Sequence, residues 1–307
     1  MKNILVTGGN GQLGSCIKWV TKSRKNEEYN YTFVDVNDLD ITNSEAVDSF
    51  FSNNSFDYII NCAAFTDVNN SQNNITAFNV NVMGPMILTN CANKYGMKII
   101  HISTDYVFDG NRNTPYTEDD EAKAINSYGI TKLMGEKYVS MYPQSYIIRT
   151  SWLYSIYGKN FFLSMLNRIK SGKETEVVID QVGTPTSARS LAKFLVWLVE
   201  NGESKNVPYG IYHFSNEGVC SWYDFAVAIE DKTKRENFSF NLEKNGVIKP
   251  ITTKAYEEKN NLKNEPRPTY SVLSKEKIKQ YYPEINHWLI DLSNEAFYLG
   301  LNGYWDR

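Results

Sequence analysis

Short apolar runs recur through the first half of the chain, separated by longer stretches of mixed polarity. Residues 4–6, 31–34, 58–60, 98–102 and 146–149 are mostly apolar, rich in Ile, Val, Tyr and Phe, and short enough to be strands. The first gap opens on glycines and continues as an amphipathic run to about residue 22. Residues 42–45, Thr-Asn-Ser-Glu, have the spacing of a capping box that starts a second helix. Residues 76–95 keep a helical pattern, and a further helix carries Tyr128. Strands alternating with helices of this length predict parallel β-α-β units. Thr7, Asp35, Ala63 and Ser103 would then end their strands on one edge of the sheet, and ligands of open α/β sheets bind outside the carboxyl ends of strands.

After Arg149 the alternation weakens. Residues 177–179 read as a strand followed by a turn over 180–186, 191–200 as an apolar helix, 210–214 as a strand, and 221–229 as a helix behind a Ser cap. The charged stretch 231–264 reads as partly exposed. The pattern predicts an α/β protein, a Rossmann-like doubly wound parallel sheet with a smaller C-terminal α/β substrate domain. The first unit spans 1–151, the second lies mainly in 152–307, and segments around 177–215 return to the first.

Composition narrows the class. The 307 residues are 42% hydrophobic and 22% charged, as in an ordinary globular protein, and the net charge of −3 offers no global field for nucleic acid. An anionic ligand must be held by local backbone N–H groups and a few cations. The apolar run at the N-terminus is too short for a signal peptide or a membrane span, which predicts a cytoplasmic protein without a membrane partner. Cys16, Cys62, Cys91 and Cys220 show no C-x-x-C spacing and read as reduced thiols. His101, His213 and His287 form no ligand pattern, so no metal site is expected.

Two motifs carry chemistry. Gly8, Gly9, Gly11 and Gly14 follow the first strand and open a helix, with Asp35 about twenty residues on. Glycine there permits a tight turn and lets backbone approach a pyrophosphate, which sits on the helix N-terminus. The first unit is therefore read as an NAD(P)-binding domain. A carboxylate at Asp35 can bind a ribose 2′-hydroxyl and repel a 2′-phosphate, a modest tilt toward NADH over NADPH. The second motif is Tyr128 and Lys132, four apart on a helix and hence on one face. The ammonium is expected to lower the pKa of the phenol, which would exchange a proton with a substrate oxygen while hydride moves at carbon. Ser103-Thr104-Asp105-Tyr106 ends the fourth strand, where a hydroxyl can reach the same oxygen. Trp152 suits either core packing or stacking on a sugar ring.

In this order and spacing the motifs resemble the extended short-chain dehydrogenase/reductases. More narrowly, residues 7–14, 38–42, 103–110, 128–136, 149–152, 180–186 and Arg267-Pro268 are similar to the dTDP-4-dehydrorhamnose reductase family. The resemblance implies NADPH- or NADH-dependent reduction at C4 of a dTDP-linked 4-keto-6-deoxysugar, supplying surface polysaccharide synthesis. It implies Thr104, Tyr128 and Lys132 as the catalytic trio, with Tyr128 and Lys132 also meeting the cofactor. Gly8, Gly11, Gln12, Leu13, Gly14, Asp35, Asp40, Ile41, Ala63, Ala64 and Thr66 would surround the dinucleotide. Thr104, Asp105, Tyr106, Trp152 and Arg267 would meet the nucleotide-sugar substrate.

Where related 4,6-dehydratases carry Thr-Asp-Glu, this chain has Tyr106, so the elimination lacks its base. It also departs from the reductase pattern. Asn69 and Gln72 stand where the family has acids, and Cys16 stands where some members carry a glutamate of a magnesium-bridged dimer. A homodimer stays open, without that bridge. A reductase or epimerase of another nucleotide-linked 4-keto sugar also stays open, as does a non-catalytic regulatory homologue like the β subunit of methionine adenosyltransferase.

Overall fold

β1 (Lys2–Thr7), β2 (Tyr29–Val34), β3 (Tyr58–Asn61), β4 (Lys98–Thr104) and β5 (Ser145–Thr150) lie side by side in one parallel sheet. The computed structural model describes residues 1–24, 26–235, 247–260 and 265–301. A sixth strand, Gly210–His213, joins beside β5, giving the order Gly210–His213, β5, β4, β3, β1, β2. The order reverses direction between β1 and β3, the switch point at which such sheets bind ligands.

Both faces of the sheet are covered, which explains why its strands read as nearly continuous apolar runs. Ile4, Val6, Ile60, Ile100 and Ile148 point to one side, against helices Gln12–Arg24 and Ala188–Asn201. Leu5, Ile59, Ile99 and Ile147 point to the other, where Val47, Phe51, Leu88 and Val139 come from helices Ser44–Asn53, Gly84–Tyr95 and Ser127–Ser140. Each such side chain contributes about 1.5–3 kcal/mol by leaving water.

The strand read at 177–179 is Thr175–Val178, and it pairs with Ile248–Ile251 in a separate two-stranded ribbon. Its burial alternates, as suits a ribbon with one wet face, whereas every residue of β5 is buried. Helices Phe161–Lys170, Trp222–Arg235 and Trp288–Leu301 contribute to a further apolar cluster that includes Phe162, Leu166, Phe225, Trp288 and Leu292. Of the charged stretch 231–264, residues 236–246 and 261–264 lie outside the described residues.

Two helix starts are set by local side-chain chemistry. Ser221 and Asp224 form a reciprocal cap: the Asp224 N–H donates to Ser221 Oγ at 3.0 Å, and the Ser221 N–H donates to Asp224 Oδ2 at 2.9 Å. The cap expected at Thr42 falls instead on Asn43, whose side chain accepts from the Ala46 N–H at 3.1 Å. Thr42 is already engaged, because its hydroxyl and N–H both donate to Asp40 Oδ1, at 2.7 and 2.9 Å. Residues 75–95 are helical throughout, but a π turn at Asn79–Met83 interrupts the regular bonding. Asn81 in that turn is wholly buried, accepts from the Phe65 N–H, and donates to the Phe65 carbonyl and to Thr131. It thereby ties the loop after β3 to the helix that carries Tyr128. Among the described residues no helix is long and apolar enough to cross a membrane.

Candidate active site

The turn after β1 lies at the switch point. Gly8 has φ +63°, and a Cβ there would sit 2.8 Å from the Ala63 nitrogen at the end of β3. Gly14 packs its helix onto the same turn, where a Cβ would collide with the Gly8 carbonyl and lie 2.7 Å from the Gly9 Cα. Backbone cannot yield as a flexible side chain does. Gly14→Ala is therefore expected to cost about 1–3 kcal/mol of stability and to weaken nicotinamide dinucleotide binding. Thermal unfolding together with a fluorescence titration of NADPH checks both, and wild-type values for each would refute the close-packing argument.

A cleft of about 250 Å³ opens beside this turn, and Gly8, Gly11, Asp35, Asp40, Ile41, Ala63 and Ala64 help to wall it. Asp35 is anchored there by its own backbone surroundings. Its Oδ2 accepts from the Asn10 N–H at 2.9 Å and its Oδ1 from the Val36 N–H at 2.8 Å. Gln12, Leu13 and Thr66, also read as cofactor contacts, do not line this cleft. Gln12 donates to the Leu153 carbonyl and accepts from Asn160, Leu13 is buried in the core, and Thr66 is exposed beyond the cleft. Cys62, Val36, Leu39 and Val80 complete the wall and had no motif to mark them.

Thr104, Tyr128 and Lys132 converge at the carboxyl end of β4. Lys132 is 2% exposed, and its Nζ donates to the Ile102 carbonyl at 2.6 Å. Burial brings its pKa down to about 8, while the carboxylate of Glu136, one turn along the helix, pulls the other way. Thr104 Oγ1 accepts from the Tyr106 N–H at 3.2 Å and donates to Asp105 Oδ1 at 3.1 Å. Tyr106 meets Tyr128 edge to face, with ring centroids 5.8 Å apart.

The expected depression of the Tyr128 pKa is not found. Burial pushes the phenol up, and its hydrogen bond with the Thr104 side chain offsets only part of that. The reason is geometric: the Lys132 ammonium is spent on the Ile102 carbonyl, and desolvation dominates. Asp105 is 1% exposed beneath Thr104, and burial raises its carboxyl to about 7.

The start of the Tyr128 helix is held from the far end of the chain. Asn126 caps it, accepting from the Gly129 N–H at 2.8 Å and donating to the Pro266 carbonyl at 2.8 Å. The Ser127 N–H donates to Glu265 at 2.7 Å. Asn126 was findable as a cap residue just before the helix; Glu265 was not, because nothing in its neighbourhood names its partner. Two residues on, Arg267 donates to Asn69 at 3.2 Å and borders a cavity of about 370 Å³ shared with Arg168, Gln181 and Trp222. Its charge also reaches Tyr106, linking this cavity to the Tyr128 cluster. Trp152 adopts φ +45° and stacks face to face on Trp222, with centroids 3.6 Å apart. A non-glycine residue in this region of φ is uncommon and is tolerated where surrounding packing enforces it.

A glycine turn at the switch point of a doubly wound sheet, beside a converging Thr-Tyr-Lys set, defines an NAD(P)H-dependent oxidoreductase of the short-chain dehydrogenase/reductase class. The family model described as the RmlD substrate binding domain matches residues 1–295. The chain belongs to this family, that of the dTDP-4-dehydrorhamnose reductases. It is 37% identical over 287 residues to a dTDP-4-dehydrorhamnose reductase of Aggregatibacter actinomycetemcomitans, covering 92% of this chain and 94% of the relative. Among solved structures it is similar to the dTDP-4-dehydrorhamnose reductase of Clostridium acetobutylicum, with a TM-score of 0.85, 38% identity, and coverage of 97% of this chain and 99% of that one. It is also similar to the Bacillus anthracis dTDP-4-dehydrorhamnose reductase in complex with NADP, with a TM-score of 0.84, 32% identity and the same coverage.

Proposed function

We propose that this protein reduces the C4 ketone of dTDP-4-dehydro-L-rhamnose to dTDP-L-rhamnose, using NADPH or NADH. The observation that carries the reading is the convergence of Thr104, Tyr128 and Lys132 at the carboxyl end of β4, on the edge of the sheet that also bears the glycine turn. When bound, the nicotinamide supplies the hydride. Gly8, Gly11 and Gly14 admit the pyrophosphate, and the wall formed by Asp35, Asp40, Ile41, Ala63 and Ala64 takes the adenosine end. Tyr128 gives its proton to the oxygen of the ketone. Its raised pKa supports that role, since the phenol stays protonated across the neutral range. Thr104 orients the same oxygen, and Lys132 keeps a positive charge behind it.

Residues 1–151 serve the dinucleotide in this reading, and 152–307 mainly the sugar nucleotide. Tyr106 and Trp152 border the sugar, with Asp105 beneath Thr104. Arg267 would meet the diphosphate in this reading, because a guanidinium pairs with two phosphate oxygens at once. The four free thiols favour the cytoplasm. Any homodimer would lack the magnesium bridge, because a buried cysteine stands at position 16.

The test is nicotinamide absorbance decay with dTDP-4-dehydro-L-rhamnose generated in situ, run in parallel with NADH and NADPH. Decay is expected with both, and their ratio reports what Asp35 selects. Binding of both cofactors without decay would overturn the reading in favour of another sugar nucleotide or a regulatory role.

A further inference from the structure

Beneath the Tyr128 hydroxyl lies a chain of hydrogen-bonding groups that leads away from the substrate. The phenol is hydrogen-bonded to the Thr104 side chain, and Thr104 Oγ1 reaches Asp105 Oδ1 at 3.1 Å. Asp105 Oδ2 is buried and makes no hydrogen bond to protein. The groups that face this carboxyl are Tyr106 from its own turn, Tyr128 from the helix, and Ser271 from the segment after Glu265, with Arg267 beyond Tyr106. None of these is a cation paired with it; hydrogen bonding by Ser271, Thr104 and backbone N–H groups favours the ionised form, and burial outweighs it.

We propose that Asp105 is the proton reservoir of the site, returning a proton through Thr104 to Tyr128 after each reduction. The inference rests on the reductase reading and deepens it. Atoms balance as follows. The carbonyl carbon gains a hydride and its oxygen gains the Tyr128 proton. The phenolate takes the Thr104 proton as Thr104 takes the carboxyl proton of Asp105. A hydroxyl can donate and accept at once, so Thr104 ends unchanged. The Asp105 carboxylate is then protonated from solvent once product has left. Asp105 acts through Thr104 in this scheme and is a positioning residue.

A buried carboxyl near 7, against an ordinary 3.8, has a definite sign in unfolding. The stability it confers is complete when it is protonated in both states and is lost as pH rises from about 4 through about 7. Asp105→Asn keeps the shape and carries no such loss, and an amide cannot pass on a proton. The isolated variant should therefore gain melting temperature relative to wild type as pH goes from 5 to 8. Turnover should fall on the order of tenfold, and the alkaline decline of kcat should move from about 7 to about 8, where Lys132 loses its proton. The proposal is overturned if the decline near 7 persists in the variant, or if the melting difference is the same at both pH values. A wild type that shows the melting difference yet reduces no 4-keto sugar nucleotide would overturn the reductase reading alone, because unfolding reports the buried proton without substrate.

Discussion

Tyr128→Phe is expected to lower kcat by about 10³-fold, the loss of a positioned general acid, while the affinity for NADPH or NADH stays near the wild-type value. In the proposed reaction the phenol oxygen is the group offered to the substrate, and the rest of the ring holds its place by packing edge to face on Tyr106. Phenylalanine keeps that packing and loses only the hydroxyl and its bond with the Thr104 side chain. The helix would remain capped by Asn126 and tied to Glu265, so the cofactor cleft should keep its shape. Single-turnover absorbance decay and a fluorescence titration separate the two quantities. Equal losses in both would mean that Tyr128 is a structural residue. The raised pKa adds a pH signature: wild-type activity should show no alkaline decline from Tyr128 in the neutral range, because the phenol keeps its proton there.

The second large effect is expected in stability. Glu136 and Arg149 form a buried ion pair, each about 3% exposed, in which Arg149 Nε donates to Glu136 Oε1 at 2.9 Å and Nη2 to Oε2 at 2.8 Å. The guanidinium also lies over the Phe108 ring, 5.1 Å from its centre. Glu136→Gln would leave a buried guanidinium without its counter-charge, and about 3–5 kcal/mol of stability should be lost. Replacing both partners with apolar residues of similar volume should restore much of it, because the charges cost desolvation that the pair only offsets. Denaturant midpoints for the single and double variants decide this; an unchanged midpoint for Glu136→Gln would refute it. The pair also joins the Tyr128 helix to β5 and helps keep Lys132 charged, so the single variant should lose activity at lower pH than wild type.

The site was legible to the extent that its chemistry is local. A strand, four glycines and the start of a helix within fifteen positions announce a dinucleotide turn, because tight turning and close approach both require glycine at set spacings. Tyr128 and Lys132 are neighbours by helical geometry alone. The alternation of short apolar runs with helices implied a parallel sheet, and the observed order β2, β1, β3, β4, β5 with Gly210–His213 beyond is such a sheet. The cap's position at Asn43 instead of Thr42 has the same local origin: two residues compete for one helix start, and the bonds from Thr42 to Asp40 decide it.

What the chain order could not announce are contacts between distant segments. Glu265 and Pro266 grip the start of the Tyr128 helix, Trp222 covers Trp152, and Asn81 ties the loop after β3 to Thr131. Ionisation belongs to the same group. From spacing, Lys132 should have lowered the Tyr128 pKa; in the fold its ammonium is held by the Ile102 carbonyl, and burial raises the phenol instead. Spacing along a helix dictates which side chains are neighbours, so the sequence by itself determined the class of chemistry and the residues that meet. The protonation states of Tyr128, Lys132 and Asp105 were decided only by tertiary structure, because desolvation depends on how much of the rest of the protein closes over each group.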